Sequence, residues 1–169
     1  MSDITIEGIA GRAGVLVGSV YDYFASKTAL LVAVAESVMS ETDAETARQL
    51  ADCLRLPWRE AVDRTVTATL RFLRDAPEYQ NLLRTIRFTR EFAEVTAVSN
   101  AQVADLMALH PAFHRAGISR DKALQICRTV VTAANALQDR ALADEGFDFD
   151  TLVEETRRLV TGYLQTYLP

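Results

Sequence analysis

Side chains able to do covalent or metal chemistry are few in this chain, and their spacing works against it. His110 and His114 stand four residues apart, which would put two imidazoles on one helix face. The intervening Pro111-Ala112-Phe113 offers no carboxylate, and Pro111 breaks continuous helix through His110, so no metal site is expected. Cys53 and Cys127 are isolated and read as small buried hydrophobes in a reducing cytoplasm rather than a disulfide. No nucleophile elbow, phosphate loop or glycine-rich dinucleotide fingerprint occurs, so the expectation is a non-enzyme without a cofactor.

What remains is recognition, and it concentrates at the start of the chain. Thr5 to Val15 reads as a short helix running into a turn at Gly14, a position suited to positive φ. Gly18 to Phe24 reads as a second short helix, and Ser26 as the N-cap of a third, with Lys27 just after it. Ile6, Ile9, Ala10, Ala13, Val20 and Phe24 fall at helical spacing and would pack these pieces together, with Leu30 and Leu31 closing the core. That is the plan of a helix-turn-helix, which lays its second helix in the major groove of DNA.

The same residues carry a family resemblance. Thr5, Ile9-Ala10, Ala13-Gly14-Val15, Gly18, Val20-Tyr21, Tyr23-Phe24 and Ser26-Lys27 resemble the DNA-binding motif of the tetracycline-repressor (TetR/AcrR) family of bacterial transcription regulators. The resemblance implies that Thr5 caps the first short helix and donates to a phosphate. It further implies that Ser19, Tyr21 and Tyr23 project from the recognition helix beside Val17 and Gly18, and that Lys27 meets the DNA backbone. Hydroxyls and an ammonium suit such contacts, which fix register while a few side chains read base edges.

The sequence also departs from the pattern. Leu16 replaces the usual polar cap of the recognition helix, and Val17 a polar or basic base-facing residue. Residues 1–27 hold Arg12 and Lys27 against Asp3, Glu7 and Asp22, a local charge of −1 where counterion release favours positive charge. The family's first helix, which completes the core of the reading domain, is expected to be lacking before Thr5. The leading expectation is a ligand-responsive regulator, a repressor of a palindromic double-stranded DNA operator. The alternative is a dimeric helical ligand-binding module that no longer binds DNA.

The rest of the chain reads as all-α. Of 169 residues, 49% are apolar and 24% charged, and β-branched residues sit in helical rather than alternating spacing. The net charge of −5 argues against a protein coated in nucleic acid but leaves room for a local reading face. No apolar run reaches the roughly 18 residues of a membrane span, and Met1-Ser2-Asp3 does not open a signal peptide, so a cytoplasmic location is expected. Ser26 should start a helix of about 25 residues ended by Leu54-Arg55-Leu56-Pro57. Helices follow from Trp58 to about Asp75, from Pro77 through Phe88, from about Glu94 to Leu109, and from Asp121 to Asp144 behind a Ser119 cap. Residues 110–117 read as a polar connection and 144–148 as a turn. The last helix starts either at Asp148 or at a Thr151–Glu154 capping box. The domain division is expected at 1–45 and 46–169.

The last two helices are apolar over a wide arc, as helices are when central in a core or packed on a second subunit. Periodicity leaves both open. The resemblance implies a homodimer through a four-helix bundle of these helices, with Leu124, Cys127, Val131, Ala134, Leu137, Leu152, Leu159, Val160, Tyr163 and Tyr167 at the interface. It implies a small-molecule effector cavity among the middle helices as well. Candidate lining residues are Trp58, Phe72, Arg84, Phe88, Phe92, Met107, His110, Phe113, Asn135 and Gln138, and so apolar a set suggests an uncharged or aromatic effector.

Overall fold

Local capping chemistry sets most of the element boundaries. The computed structural model describes residues 5–144 and 148–169, with backbone alone at 41–45. Helix α1, Ile6–Ala13, begins where Thr5 Oγ1 accepts from the Gly8 N–H at 3.1 Å. It ends on Gly14, whose φ of 70° is the left-handed conformation that a glycine adopts without Cβ strain. Helix α2, Val17–Tyr23, has Leu16 at its N-cap and no side-chain cap. Ser26 Oγ accepts from the Ala29 N–H and starts the long α3, Lys27–Cys53.

Prolines open the next two helices, α4 at Trp58–Asp75 after Pro57 and α5 at Pro77–Ile86. Helix α6, Arg90–Met107, begins four residues earlier than the sequence suggests, because Thr89 caps it by accepting from the Phe92 N–H. Phe88 thereby lies in the connection, 79% exposed, rather than on an apolar helix face. Residues 110–117 contain a short helix, α7 at Pro111–Arg115, where His110 serves as N-cap and Pro111 as first residue. Ser119 caps α8, Arg120–Ala143, and Asp148 rather than Thr151 caps α9, Phe149–Leu164. The expected turn at 144–148 lies partly outside the described residues. No strand occurs among the described residues.

Three apolar clusters hold these helices. In the head, Ile6, Ala10, Val20 and Leu30 are buried, with Ile9, Val17 and Phe24 packed against them. A middle cluster joins Leu31, Val32 and Ala35 of α3 to Leu82 and Ile86 of α5 and Phe92 of α6. Val34, one turn beyond Leu30 and Leu31 on α3, is 46% exposed. The body core spans α4 and α6 to α9, with Ile126, Cys127 and Leu152 almost wholly buried. There α4 packs along α9, and α6 along α8. The sequence-based boundary at residue 45 falls inside α3, which belongs to both the head and the body.

Candidate nucleic-acid interface and ligand cavity

The head presents one continuous outward surface. Tyr21 and Tyr23 on α2 are exposed, Tyr23 at 85%, and Gly18 and Lys27 are exposed beside them. Ser19 is half-buried. Thr5 uses an oxygen lone pair on the Gly8 N–H, and its hydroxyl proton remains able to donate. Gly18 has nothing within 4 Å of where a Cβ would stand, so packing does not require glycine there. What the missing side chain preserves is close access to the α2 backbone. Val17 differs from the expectation: it is half-buried against the head core and does not point outward as a base-facing residue. Asp22 and Leu16 are exposed on the same region, Leu16 at 79%.

A cavity of about 490 Å³ lies among α3, α4, α6, α8 and α9. Its size falls within the roughly 300–1,000 Å³ of small-molecule sites. Trp58, Phe72, Phe92, Met107, His110, Phe113, Asn135 and Gln138 all border it. Two expected members do not. Arg84 turns toward the end of α8, donating from Nε to the Leu142 carbonyl at 2.9 Å and from Nη1 to Asn81 Oδ1. Phe88 lies outside, its ring 4.5 Å from the Arg87 guanidinium. Periodicity cannot separate Arg84 from Arg87, which are one helical turn apart; only the seating of α5 decides which one faces inward. Arg87 is missed for that reason, and Thr96, Asn100, Asp139 and Thr156, on α6, α8 and α9, border the cavity as well.

The polar groups of the wall differ in how well they are satisfied. His110 Nδ1 accepts from the Ala112 N–H at 3.2 Å, so its proton sits on Nε2, 3.1 Å from the Leu56 carbonyl. Burial, opposed by that carbonyl, lowers its pKa from the ordinary 6.5 and keeps the ring neutral. This histidine joins α7 to the connection between α3 and α4. Its neighbour His114 is exposed, and no metal-binding cluster occurs among the described residues. Trp58 donates from Nε1 to the Pro169 carbonyl at 2.8 Å. Asn135 Nδ2 donates to Asn100 Oδ1 at 2.9 Å. Burial pushes the Asp139 carboxyl up, with the Arg87 charge opposing it. Arg87 Nε and Nη1 and Thr156 Oγ1 are buried without a hydrogen-bond partner. Cys127 is a free thiol that burial raises to about 12, too high for a reactive thiolate, and Cys53 is also free.

Several residues expected at a dimer interface are claimed by the subunit's own core. Cys127, Val131, Leu152 and Val160 are buried within it, and Ala134 borders the cavity. Leu124, Leu137, Tyr163 and Tyr167 are half-buried against that core, and Leu159 is 37% exposed. The wide apolar arc of α8 and α9 mainly reflects their central place in the body. The outward face of α8 is a shallow groove along Asp121, Leu124, Gln125, Arg128, Thr132, Ala133 and Ala136, so the expected Leu124 borders it as well.

Both ends of the chain match known families. Residues 1–34 match "Bacterial regulatory proteins, tetR family", and residues 57–164 match "Tetracyclin repressor-like, C-terminal domain". No curated protein matches the chain. No helix among the described residues is long and apolar enough to cross a membrane. With a helix-turn-helix head joined through α3 to a cavity-bearing helical body, the chain belongs to the tetracycline-repressor family and is a transcriptional regulator.

Proposed function

We propose that this chain is a ligand-responsive repressor that binds a palindromic operator as a homodimer and is released by a small molecule seated in the body cavity. One observation carries the reading: the cavity wall and the cluster gripping α3 share side chains. Phe92, Leu83, Tyr79 and Met39 border the cavity and also pack in the cluster around Leu31, Val32 and Ala35. A ligand that displaces Phe92 or Leu83 therefore acts on α3, whose first turn carries Lys27 and whose Leu30 completes the head core. Half-sites one DNA turn apart, about 34–36 Å, make the separation of two heads a switch.

On the DNA, Tyr21, Ser19 and Tyr23 are the proposed groove contacts, with Thr5 and Lys27 on phosphates. Between subunits, the outward faces of α8 and α9 are the proposed contact, where Ala133, Ala136 and Gly162 permit close approach. The cytoplasm is the proposed compartment. A second reading, a ligand-binding dimer that does not read DNA, is favoured by the uncapped Leu16 and by Asp22 exposed on α2.

A gel shift with the intergenic DNA flanking the gene separates the two. The repressor reading expects a shift that unlabelled specific DNA competes and unrelated DNA does not. Lys27→Ala should weaken binding across all sequences and lower the salt slope by about 1. Equal competition by unrelated DNA would sink the repressor reading and leave the second one.

A further inference from the structure

The cavity wall holds a guanidinium whose buried donors are not all used. Arg87 follows α5 and reaches the cavity, where its Nε and Nη1 are buried without a hydrogen-bond partner. The Phe88 ring covers the group at 4.5 Å but offers no oxygen to its N–H donors. Leaving buried donors of a cation unmade is costly, so the arrangement is complementary to an acceptor that the chain itself does not supply.

The rest of the wall is graded in polarity. Helices α6 and α8 run antiparallel: Asn135 meets Asn100 midway, while Arg120 at the start of α8 donates to the Asp105 carbonyl near the end of α6. Toward Arg87 the two helices bring Thr96, Gln138 and Asp139 to the cavity, and in the other direction Val103, Met107 and Val131. The Arg87 end thus carries polar groups and the guanidinium, with Asp139 beside it, among apolar Leu83, Phe92 and Leu142, whereas the Met107 end is apolar apart from His110.

We propose that the effector is an amphipathic monocarboxylate, its apolar body along α4, α6 and α8 and its carboxylate on Arg87. This rests on the cavity being the effector site, and it replaces the uncharged ligand that the aromatic residues alone suggest. Asp139 close by limits how much negative charge the Arg87 guanidinium can accept, which favours a monocarboxylate over a dianion such as a phosphate monoester. A cationic head would meet Arg87 unfavourably.

Three probes with one chain length and different heads test this: decanoate, decanol and decylamine, titrated against the full chain. Trp58, the sole tryptophan, borders the cavity and reports occupancy by its fluorescence. Decanoate should bind about tenfold tighter than decanol, with decylamine weakest. Arg87→Met should bring decanoate close to decanol, and Asp139→Asn should tighten decanoate by removing a like charge. The wild-type head-group series needs no variant to fold. Decanol binding as tightly as decanoate, or an unchanged preference in folded Arg87→Met, overturns the carboxylate assignment while leaving the effector cavity standing. No response of Trp58 fluorescence or melting temperature to any probe overturns both.

Discussion

Head and body are built from the same kind of helix yet solve different problems. In the head, Ile6, Ala10, Val20 and Leu30 are the buried apolar core among the described residues, Ile9, Val17 and Phe24 are half-buried around it, and much of the rest is exposed. In the body, a far larger core surrounds an opening and also encloses polar groups, with Gln80, His110 and Thr156 all buried. The head buries little and leaves α2 largely exposed, the surface proposed for DNA. The body has enough packing to tolerate a hole and the polar groups that border it. A fold can therefore place its most permissive recognition surface on its least stable part, provided that part is anchored to a stronger one.

The largest test of this contrast is a pair of core truncations. Ile126→Ala removes a fully buried side chain from the body and should cost about 3–4 kcal/mol, visible as a lower main thermal transition. Ile6→Ala should instead abolish DNA binding while the main transition and Trp58 fluorescence stay near wild type. An equal drop in the main transition for both variants would show that head and body melt as one unit, and the contrast would be wrong.

Next in size is His110, which tests whether the body's buried polar groups are structural. His110→Ala removes both the acceptor for the Ala112 amide and the donor to Leu56, and should cost about 2 kcal/mol at neutral pH. The folded ring takes a proton less readily than the unfolded one, whose ordinary pKa is 6.5. Its stabilising effect is therefore present above that value and is lost as pH falls through it. Urea unfolding between about pH 5 and 7.5 should show that decline in the wild type, and His110→Ala should flatten it. A slope unchanged by the substitution would assign the decline to another group.

The smallest effect concerns the head's weakest joint. Leu16 already has the extended backbone of an N-cap, with φ −72° and ψ 143°, but no oxygen to offer. Leu16→Ser should strengthen α2 by about 1 kcal/mol and tighten operator binding. Amide exchange across 17–23 is the direct check, and faster exchange in the variant would contradict the capping argument.

Much of the fold is legible in the sequence because its signals are local. Ser26, Pro57, Pro77 and Ser119 mark helix starts by their own chemistry, and the head motif sets its core by spacing. The short helix after His110 was hidden because Pro111 reads as a break, although proline at a first turn opens a helix just as it does at Pro77. The site is less legible. A helical period tells how wide an apolar arc is but not which neighbour covers each part of it. Cys127 and Val160 could thus be assigned to a second subunit, and Arg84 could be taken for Arg87.

The corner between α4 and α5 has a mechanical consequence. Gln80 Nε2 donates to the Leu73 and Arg74 carbonyls across the Ala76-Pro77 break, and Arg84 ties the other end of α5 to the last turn of α8. A hinge fastened on both sides has no slack of its own. Helix α5 is thus placed to pass an outward push on α4 to Leu82 and Ile86, which pack against α3. Under the proposed release mechanism, Gln80→Ala would loosen this route but leave the direct one through Phe92 and Met39, so a filled cavity would move the heads less.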